Sequence, residues 1–219
     1  MSEPLDVPLR GVSSKFARAV KRLLDIVLSL GALLFLLPLF ALTALCIWIE
    51  DGRPIFFIQP RAGRRRAVFP ILKFRSMKVN RVPVQEMGQV REDHPLVTRT
   101  GRIIRRLKID EFPQFWHVLT GEMSLVGPRP TIPEQVEAYT PFQLLRLEMP
   151  PGCTGWGQIN GGTQLEWDDR IRLDVWYCAH WTLTLDFIIV CKTLGVLIFG
   201  ERINSRAVEE ARAFARSLE

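Results

Sequence analysis

The chain has 219 residues, 47% of them apolar, and a formal net charge of +6 at pH 7. This length and composition predict one globular unit with an appended helix and a core of ordinary size. The excess of lysine and arginine favours an acidic partner, such as nucleic acid, anionic lipid or a phosphorylated substrate. The four cysteines and three histidines lack the close spacing of metal ligands, which argues against a structural zinc site.

The N-terminal region predicts a membrane element. Residues 1–14 are polar and contain prolines, which predicts a flexible tail. Basic residues then precede an uncharged stretch over residues 26–49, which as a helix is long enough to cross a bilayer of about 30 Å. A buried core helix is the alternative, but such helices rarely lack a polar face over about six turns. We therefore predict a membrane helix over residues 15–50.

The charges that flank this helix predict its orientation. Arginines follow the apolar stretch in residues 61–66, just as basic residues precede it, so both ends are expected on the cytoplasmic side. Pro38, near the middle, removes a backbone hydrogen bond and disfavours helical geometry at Leu37. A re-entrant helix that breaks near Pro38 and returns to the same face satisfies both observations. A spanning helix with a proline kink remains the alternative.

Two short apolar runs on either side of a basic turn predict a small β-hairpin, with strands over residues 55–59 and 67–74. Pro70 restricts the second strand to a sheet edge or a bulge. Lys73 and Arg75 are two residues apart, so they are predicted to point to the same side. That side is either a solvated face, an anion site or a contact with lipid headgroups.

The sequence "LKIDEFPQ" holds two adjacent carboxylates, Asp110 and Glu111, directly after a predicted helix over residues 100–108. That helix is apolar on one face and carries arginines, including Arg105, on the other. Pro113 suits the first position of a following helix. The two carboxylates are therefore expected in a short corner before a helix N-terminus, where phosphate groups bind readily. A salt-bridged, capped helix end without chemistry is the alternative.

A corner of this kind has a specific chemical use. A carboxylate repels a neighbouring phosphate unless arginines or a divalent cation compensate the charge. One carboxylate is then available as a nucleophile and the other as a metal ligand or base. These residues alone indicate phosphate chemistry only weakly, so the later segments have to be considered.

Two later segments add polar groups. Arg129 stands between Pro128 and Pro130, so a stiff backbone presents its guanidinium at little ordering cost, although a rigid structural turn explains the prolines equally well. Residues 150–161 are glycine-rich and include Gln158, whose side-chain amide is available to hydrogen-bond a ligand. Their spacing matches neither the dinucleotide-binding motif nor the P-loop, which disfavours a kinase-like mechanism.

The C-terminal part of the chain predicts helices. Residues 181–199 are apolar but include Asp186 and Lys192, and each charge costs about 2.5 to 3.5 kcal/mol at the centre of a membrane span. A core or interfacial helix is therefore expected here, and residues 201–219 predict a charged helical tail. The predicted fold is α+β and predominantly helical, with a re-entrant membrane helix, a small β-hairpin and amphipathic interfacial helices.

The order of several segments is specific to one family. From Lys21 onward the chain reads "KRLLDIVLS", "FFIQPRAG", "FPILKFRSMK", "TRTGRIIRRLKIDEFPQFWHVLTGEMSLVGPRP", "PPGCTGWGQING" and "RIRLDVWY". These segments resemble the bacterial sugar transferases that are monotopic polyprenyl-phosphate phosphoglycosyl transferases, and residues 51–200 resemble their catalytic domain. The resemblance implies that Asp110 and Glu111 form the catalytic dyad. It also implies a re-entrant helix, Mg²⁺, a nucleotide-sugar donor, usually a uridine diphosphate sugar, and a polyprenyl phosphate acceptor in the inner leaflet.

The resemblance leads to an expected mechanism. Asp110 attacks the β-phosphorus of the donor, releases the nucleoside monophosphate and forms an aspartyl phosphosugar, while Glu111 helps to hold Mg²⁺. The lipid phosphate then attacks this intermediate and gives a polyprenyl diphosphosugar at the cytoplasmic face of the bacterial inner membrane. This reaction is the first membrane step of a surface glycan pathway. The expected substrate-binding side chains are Lys73, Arg75, Arg105, Arg129 and Gln158.

Two positions depart from the family pattern. Leu37 precedes Pro38 where members often have serine, which removes one means of bonding the carbonyl groups freed at the break. His117 stands where asparagine is common, which leaves the chemistry intact and affects local packing.

Two other functional classes remain as alternatives. A non-catalytic, membrane-anchored anion-binding protein explains the charge and the apolar segment, but not the two carboxylates among the cations. A membrane phosphohydrolase would use the same aspartate with water as the acceptor. The expected partners are a nucleotide sugar, polyprenyl phosphate and membrane lipid, and not nucleic acid. The sequence carries no indication of the oligomeric state.

Overall fold

A computed structural model of the protein describes residues 14–79 and 94–218. The described part is predominantly helical with two small sheets, which confirms the predicted α+β class. The predicted tail lies outside the described residues, except for Ser14. The helices are α1 (Lys15–Asp51), α2 (Arg99–Arg106), α3 (Phe115–Thr120), α4 (Pro133–Glu137), α5 (Pro141–Leu144), α6 (Trp156–Ile159), α7 (Trp167–His180), α8 (Leu183–Phe199) and α9 (Ser205–Arg216). The strands are β1 (Phe56–Ala62), β2 (Val68–Phe74), β3 (Ser124–Val126) and β4 (Gly152–Thr154).

Helix α1 is the long apolar element. The hydroxyl of Ser14 caps its first turn by accepting a hydrogen bond from the amide of Ala17 at 3.2 Å. The helix ends before Gly52, whose φ of 67° favours glycine. By length and composition α1 is able to cross a membrane. Helical structure continues on both sides of Pro38, so the predicted change of direction there stays a prediction.

Both ends of α1 attach to the globular body, while its middle does not. Near the N-terminal end, the Arg22 guanidinium donates to two main-chain carbonyl groups of α3, at 2.5 and 2.7 Å. Near the C-terminal end, the Glu50 carboxylate accepts hydrogen bonds from the first two amides of α2, at 2.6 and 2.8 Å. No side chain in residues 30–39 is buried. The apolar middle of the helix is therefore available to a membrane.

Strands β1 and β2 form the predicted hairpin. They pair in antiparallel register, with Phe56 opposite Phe74 and Ala62 opposite Val68. The first strand extends three residues beyond its predicted end at Gln59. Because the sheet has two strands, both are edge strands, so a proline without an amide donor is tolerated in the second strand as predicted.

A second, parallel pair of strands was not predicted. Strand β3 pairs with β4, so the turn that holds Arg129 lies beside the glycine-rich segment. The two backbones approach closely, because a Cβ atom added at Gly152 would lie 2.1 Å from the amide nitrogen of Gly127. Glycine at this position therefore permits the pairing that places Arg129.

Helix α7 lies at the centre of the core. Leu173, Val175 and Tyr177 have no exposed surface. Helix α9 packs on α7 through Val208 and Ala211. This helix lies within the predicted tail of residues 201–219, over Ser205–Arg216, and it is part of the folded body.

The contacts of helix α8 explain why the second apolar run contains the charged residue Asp186. The Asp186 carboxylate is buried, forms an ion pair with Lys21 of α1 at 2.6 Å, and accepts hydrogen bonds from the Tyr177 hydroxyl and the Trp181 indole. Because this charge is paired inside the body, Asp186 does not interrupt the apolar residues exposed on α8. These exposed side chains include Phe187, Leu194 and Ile198. Lys192 is exposed, with its Nζ atom 5.6 Å from the centre of the Trp156 ring, and the interfacial position of α8 stays a prediction.

Candidate active site

The two adjacent carboxylates lie in a 3-10 segment, Ile109–Gln114, between α2 and α3. Lys108 turns the chain into this segment with a left-handed φ of 57°. The prediction that Pro113 starts a helix is wrong, because α3 begins at Phe115, whose amide already donates to the carbonyl groups of Phe112 and Pro113. The open helix N-terminus expected as a phosphate site is therefore not formed.

The Glu111 carboxylate binds two cationic side chains. Its Oε1 atom accepts from Lys73 Nζ at 2.7 Å and from Arg129 Nη2 at 3.2 Å. Although burial opposes it, these two charges hold the pKa of Glu111 well below its ordinary range. Glu111 in turn raises the pKa of Arg129. The Arg129 side chain is still 45% exposed, so its guanidinium remains accessible to a ligand.

Asp110 has a different environment from its neighbour. Burial and the negative charge of Glu111 raise the pKa of Asp110 to about 6, against the lowering effect of Lys73, Arg105 and Lys108. A 3-10 segment turns by about 120° per residue, so neighbouring side chains leave it in different directions. The fold thus separates one strongly paired carboxylate from one with a raised pKa.

The structure places the five predicted substrate-binding residues in three different environments. Lys73, Arg105 and Arg129 surround the two carboxylates. Arg75 instead lies at the end of α1, where it donates to the carbonyl groups of Asp51 and Gly52 at 2.8 and 2.9 Å. Its predicted contact with a substrate phosphate therefore has no support from its position.

Gln158 lies behind β4. Its Nε2 atom donates to the carbonyl of Cys153 at 3.2 Å. Cys153 lines the cavity beside Glu111, so Gln158 supports the wall of this cavity, and a role in direct binding stays a prediction.

Arg61 lines the same cavity and was not among the predicted site residues. Its Nη2 atom donates to Gln59 Oε1 at 2.7 Å, and its Nη1 atom lies 3.5 Å from the carbonyl of Pro130. Arg61 belongs to the segment "FFIQPRAG", which carried the family resemblance, but no local pattern separated it from the arginines of the basic turn.

A buried ion pair holds the turn that carries Arg129. Arg146 is 2% exposed, pairs with Asp174, and donates to the main-chain carbonyl of Arg129 at 2.9 Å. It also donates to the hydroxyl of Tyr139 at 2.8 Å. Because Arg146 is fixed on several sides, it fixes the backbone from which the Arg129 guanidinium reaches Glu111.

His117 connects β2 to α3. Its Nε2 atom accepts a hydrogen bond from the amide of Leu72 at 3.0 Å, and its Nδ1 atom lies 2.7 Å from the Glu122 carboxylate. Leu72 precedes Lys73, so this bond holds the strand that presents the lysine to Glu111. The departure from asparagine at this position is thus accommodated by a specific contact.

The carboxylate pair fits Mg²⁺ only together with a substrate. Among the described residues, no group of three or more histidine, cysteine, aspartate or glutamate side chains is placed to hold a metal ion. Mg²⁺ commonly takes one or two protein carboxylates and completes its coordination with substrate phosphates and water. Asp110 and Glu111 supply oxygen donors of the right kind for such a shared ion.

The chain is similar to known proteins over most of its length. A family model described as bacterial sugar transferase matches residues 16–200. The chain is 37% identical to the uncharacterized sugar transferase EpsL of Bacillus subtilis, over 90% of this chain and 96% of that protein. It is 40% identical to the undecaprenyl-phosphate glucose phosphotransferase of Komagataeibacter xylinus, over 90% of this chain but 39% of that protein. It is 38% identical to the UDP-glucose:undecaprenyl-phosphate glucose-1-phosphate transferase of Escherichia coli, over 86% of this chain and 41% of that protein.

Proposed function

Because the chain belongs to the bacterial sugar transferase family, we propose that it transfers a phosphosugar from a nucleotide sugar to polyprenyl phosphate. Relatives named as phosphotransferases to undecaprenyl phosphate support this class of reaction. The chain is thus a phosphoglycosyl transferase, and we propose its donor and acceptor as follows. We take the donor to be a UDP-sugar and the product to be the first lipid-linked intermediate of a surface glycan.

The observation that carries the proposal is the different state of the two carboxylates. Glu111 is ionised and held between Lys73 and Arg129. Asp110 lies beside it with a pKa of about 6, so at neutral pH it is largely ionised and yet less strongly paired than Glu111. A carboxylate in this state is suited to attack phosphorus, because its electron pair is less stabilised by bound cations.

In the first half-reaction, Asp110 attacks the β-phosphorus of the donor. A bond forms between its carboxylate oxygen and phosphorus, and the bond from phosphorus to the bridging oxygen breaks. The nucleoside monophosphate leaves with the electron pair, and an aspartyl phosphosugar remains. Lys73, Arg105 and Arg129 surround the pair and offset the charge of the transferring phosphate.

In the second half-reaction, the phosphate of the polyprenyl lipid attacks the aspartyl phosphosugar. The product is a polyprenyl diphosphosugar, and Asp110 is regenerated as a carboxylate. When bound with the donor, Mg²⁺ would neutralise phosphate charge and polarise the phosphorus centre. Glu111 is the residue that would hold it, beside the donor phosphates.

We place this reaction at the cytoplasmic face of the inner membrane, with α1 as a re-entrant helix. A spanning helix has its ends on opposite sides of the bilayer, whereas Arg22 and Glu50 of α1 both bind the globular body. A straight helix would separate these two residues by about 42 Å. A return to the same face near Pro38 leaves residues 30–39 as the inserted tip and keeps the dyad at headgroup depth.

A panel of nucleotide sugars tests the function. Detergent-solubilised protein is incubated with each donor, with and without polyprenyl phosphate, and the products are separated. A lipid-linked diphosphosugar that forms with one donor supports the proposal. Free sugar phosphate without lipid product would indicate the phosphohydrolase, and binding without any product would indicate the anion-binding protein.

The covalent intermediate is tested separately. With stoichiometric enzyme and the active donor, about one equivalent of nucleoside monophosphate is expected as a burst without the lipid acceptor. Release that depends strictly on polyprenyl phosphate would instead favour direct transfer in a ternary complex, and Asp110 would lose its role as nucleophile.

A further inference from the structure

Arg61 lines the cavity beside Glu111. It has no role in the two half-reactions described above. It comes from β1, opposite Phe69 of β2. Residues that share the cavity with Arg61 include Lys73, Glu111, Arg129 and Cys153. Lys73 and Arg129 already bind Glu111, so a third cation at this place exceeds what one carboxylate neutralises.

The protein satisfies the guanidinium of Arg61 only in part. Its Nε atom is buried and has no hydrogen-bond partner among the described residues. Burial and the positive charge of Arg129 lower the pKa of Arg61 to about 10. A buried donor without an acceptor and a pair of close like charges both cost free energy. An anion bound in this cavity would offset the like charges of Arg61 and Arg129.

Arg61 and Asp110 are affected by different cations. The cations that act on Asp110 most strongly are Lys73, Arg105 and Lys108. The charges that act on Arg61 are those of Arg129, Glu111 and Glu134. The cavity that Arg61 lines together with Glu111 does not include Asp110 among its lining residues.

We propose that Arg61 binds the phosphate of the departing nucleoside monophosphate. This inference rests on the proposed function, in which Asp110 attacks the β-phosphorus. In an in-line displacement, the leaving group departs on the side opposite the nucleophile, so we assign the cavity that Arg61 lines, and that Asp110 does not, to the leaving phosphate. As the bond to the bridging oxygen breaks, that oxygen takes the electron pair and becomes part of a phosphate dianion. Arg61 neutralises this charge by charge-assisted hydrogen bonds.

The proposal separates the two half-reactions. The nucleotide is present in the first half-reaction and absent from the second. Arg61→Met should therefore slow the burst of nucleoside monophosphate by about 10- to 100-fold, the range expected for a charge-assisted hydrogen bond. The chase of a preformed aspartyl phosphosugar with polyprenyl phosphate should keep its wild-type rate. Arg61→Lys should recover part of the burst rate, because it retains charge but not the planar fork.

A merely structural role gives a different result. Arg61 also lies near the carbonyl of Pro130, next to Arg129, so a loss of packing would displace a group that both half-reactions use. Equal slowing of the burst and the chase by Arg61→Met would overturn the proposal. The matched control is Arg66→Met in the exposed turn of the same hairpin, which should leave both rates unchanged.

Binding of UMP without any donor provides the second measurement. Titration calorimetry should show about 10- to 100-fold weaker binding of UMP to Arg61→Met than to the wild type or to Arg66→Met. Equal affinity in all three proteins would overturn the assignment. Weaker binding to Arg61→Met, together with no covalent adduct in any protein, would retain the nucleotide-phosphate site and reject the aspartyl intermediate. The two ideas therefore fail in distinguishable ways.

Discussion

At the scale of residues, two neighbouring carboxylates acquire different properties from their surroundings. Glu111 has two close cationic partners, so its negative charge is stabilised. Asp110 is affected more by burial and by the charge of Glu111. Pairs of titratable groups whose pKa values are driven apart are typical of catalytic sites. The proposed roles of nucleophile and metal ligand follow from this difference.

Substitution of each carboxylate should separate these roles. Asp110→Asn keeps the shape but loses the anionic nucleophile, so neither the burst nor the covalent phosphosugar should form. Activity should fall by several orders of magnitude, at about 1.4 kcal/mol of barrier for each factor of ten. Glu111→Gln should retain slow chemistry with a weaker dependence on Mg²⁺, because an amide is a poorer ligand for a hard cation. A trapped adduct on Asp110→Asn would show that another residue is the nucleophile.

The pH dependence of the burst should report the pKa of Asp110. The reactive form is the carboxylate, so the single-turnover rate should fall about tenfold per pH unit below a pKa of about 6. Arg105→Met removes a charge that lowers this pKa, so its acid limb should move to higher pH. Arg102→Met, an exposed position on the same helix, is the control and should not move it. An acid limb near pH 4 in the wild type would contradict the raised pKa.

At the scale of elements, buried ion pairs connect segments that are distant in the sequence. Lys21 and Asp186 join α1 to α8, and Arg146 and Asp174 join the Arg129 turn to α7. Such pairs contribute little net stability compared with apolar packing, but the loss of one partner leaves a buried charge uncompensated. Their function here is to position elements.

Asp174→Asn should therefore destabilise the fold by about 3 to 5 kcal/mol, because Arg146 loses its buried partner. Unfolding by denaturant in detergent micelles measures this effect. The additional change Arg146→Met should recover much of the loss, since it removes the unpaired charge. Removal of the exposed Arg206–Glu210 pair is the control and should cost at most about 0.5 kcal/mol. Equal costs for the two ion pairs would show that the Arg146 contact is not a significant constraint.

At the scale of the whole molecule, the helices around the Asp110–Glu111 pair carry three exposed apolar surfaces. They are the middle of α1, the outer surface of α8, and Ile103 and Leu107 around the end of α2. We expect the other two surfaces to lie in the headgroup region when α1 inserts to its middle. The active site would then lie where a lipid phosphate is accessible and a nucleotide sugar arrives from water.

Labelling in intact cells tests this arrangement. Single cysteines at Lys15 and Arg66, with the four native cysteines replaced by alanine, should both resist a membrane-impermeant thiol reagent. Both should react after permeabilisation, because both positions are exposed on the protein. Labelling of the Lys15→Cys protein alone in intact cells would establish a spanning helix.

Pro38→Leu should change the distribution of orientations. Leucine restores the missing backbone hydrogen bond and permits a continuous straight helix, which favours spanning over return. The Lys15→Cys position should then become partly accessible from outside the cell. Leu36→Ala, at a neighbouring site without a proline, is the control. Unchanged protection in Pro38→Leu would show that contacts with the globular body, and not the proline, determine the orientation.

The sequence by itself determined the features that depend on local patterns. The uncharged stretch predicted the membrane helix, and two apolar runs on either side of a basic turn predicted the hairpin. The segment around Asp110 and Glu111 placed two carboxylates side by side, whereas their role as a catalytic dyad came from the family resemblance and stays a prediction. The rigid turn that presents Arg129 was also recognisable, because two prolines restrict the backbone locally. These features require only neighbours along the chain, so a single sequence carries enough information.

The tertiary structure decided which distant side chains reach the dyad. Lys73 and Arg75 were predicted to point to the same side, but β2 ends at Phe74, and the two-residue period holds only within a strand. Lys73 therefore reaches Glu111, and Arg75 binds the end of α1. The same limit hid Arg61, which joins the cavity only through the pairing of β1 with β2 and the turn beside β4. Contacts between segments far apart in the chain depend on register and packing, which local periodicity does not specify.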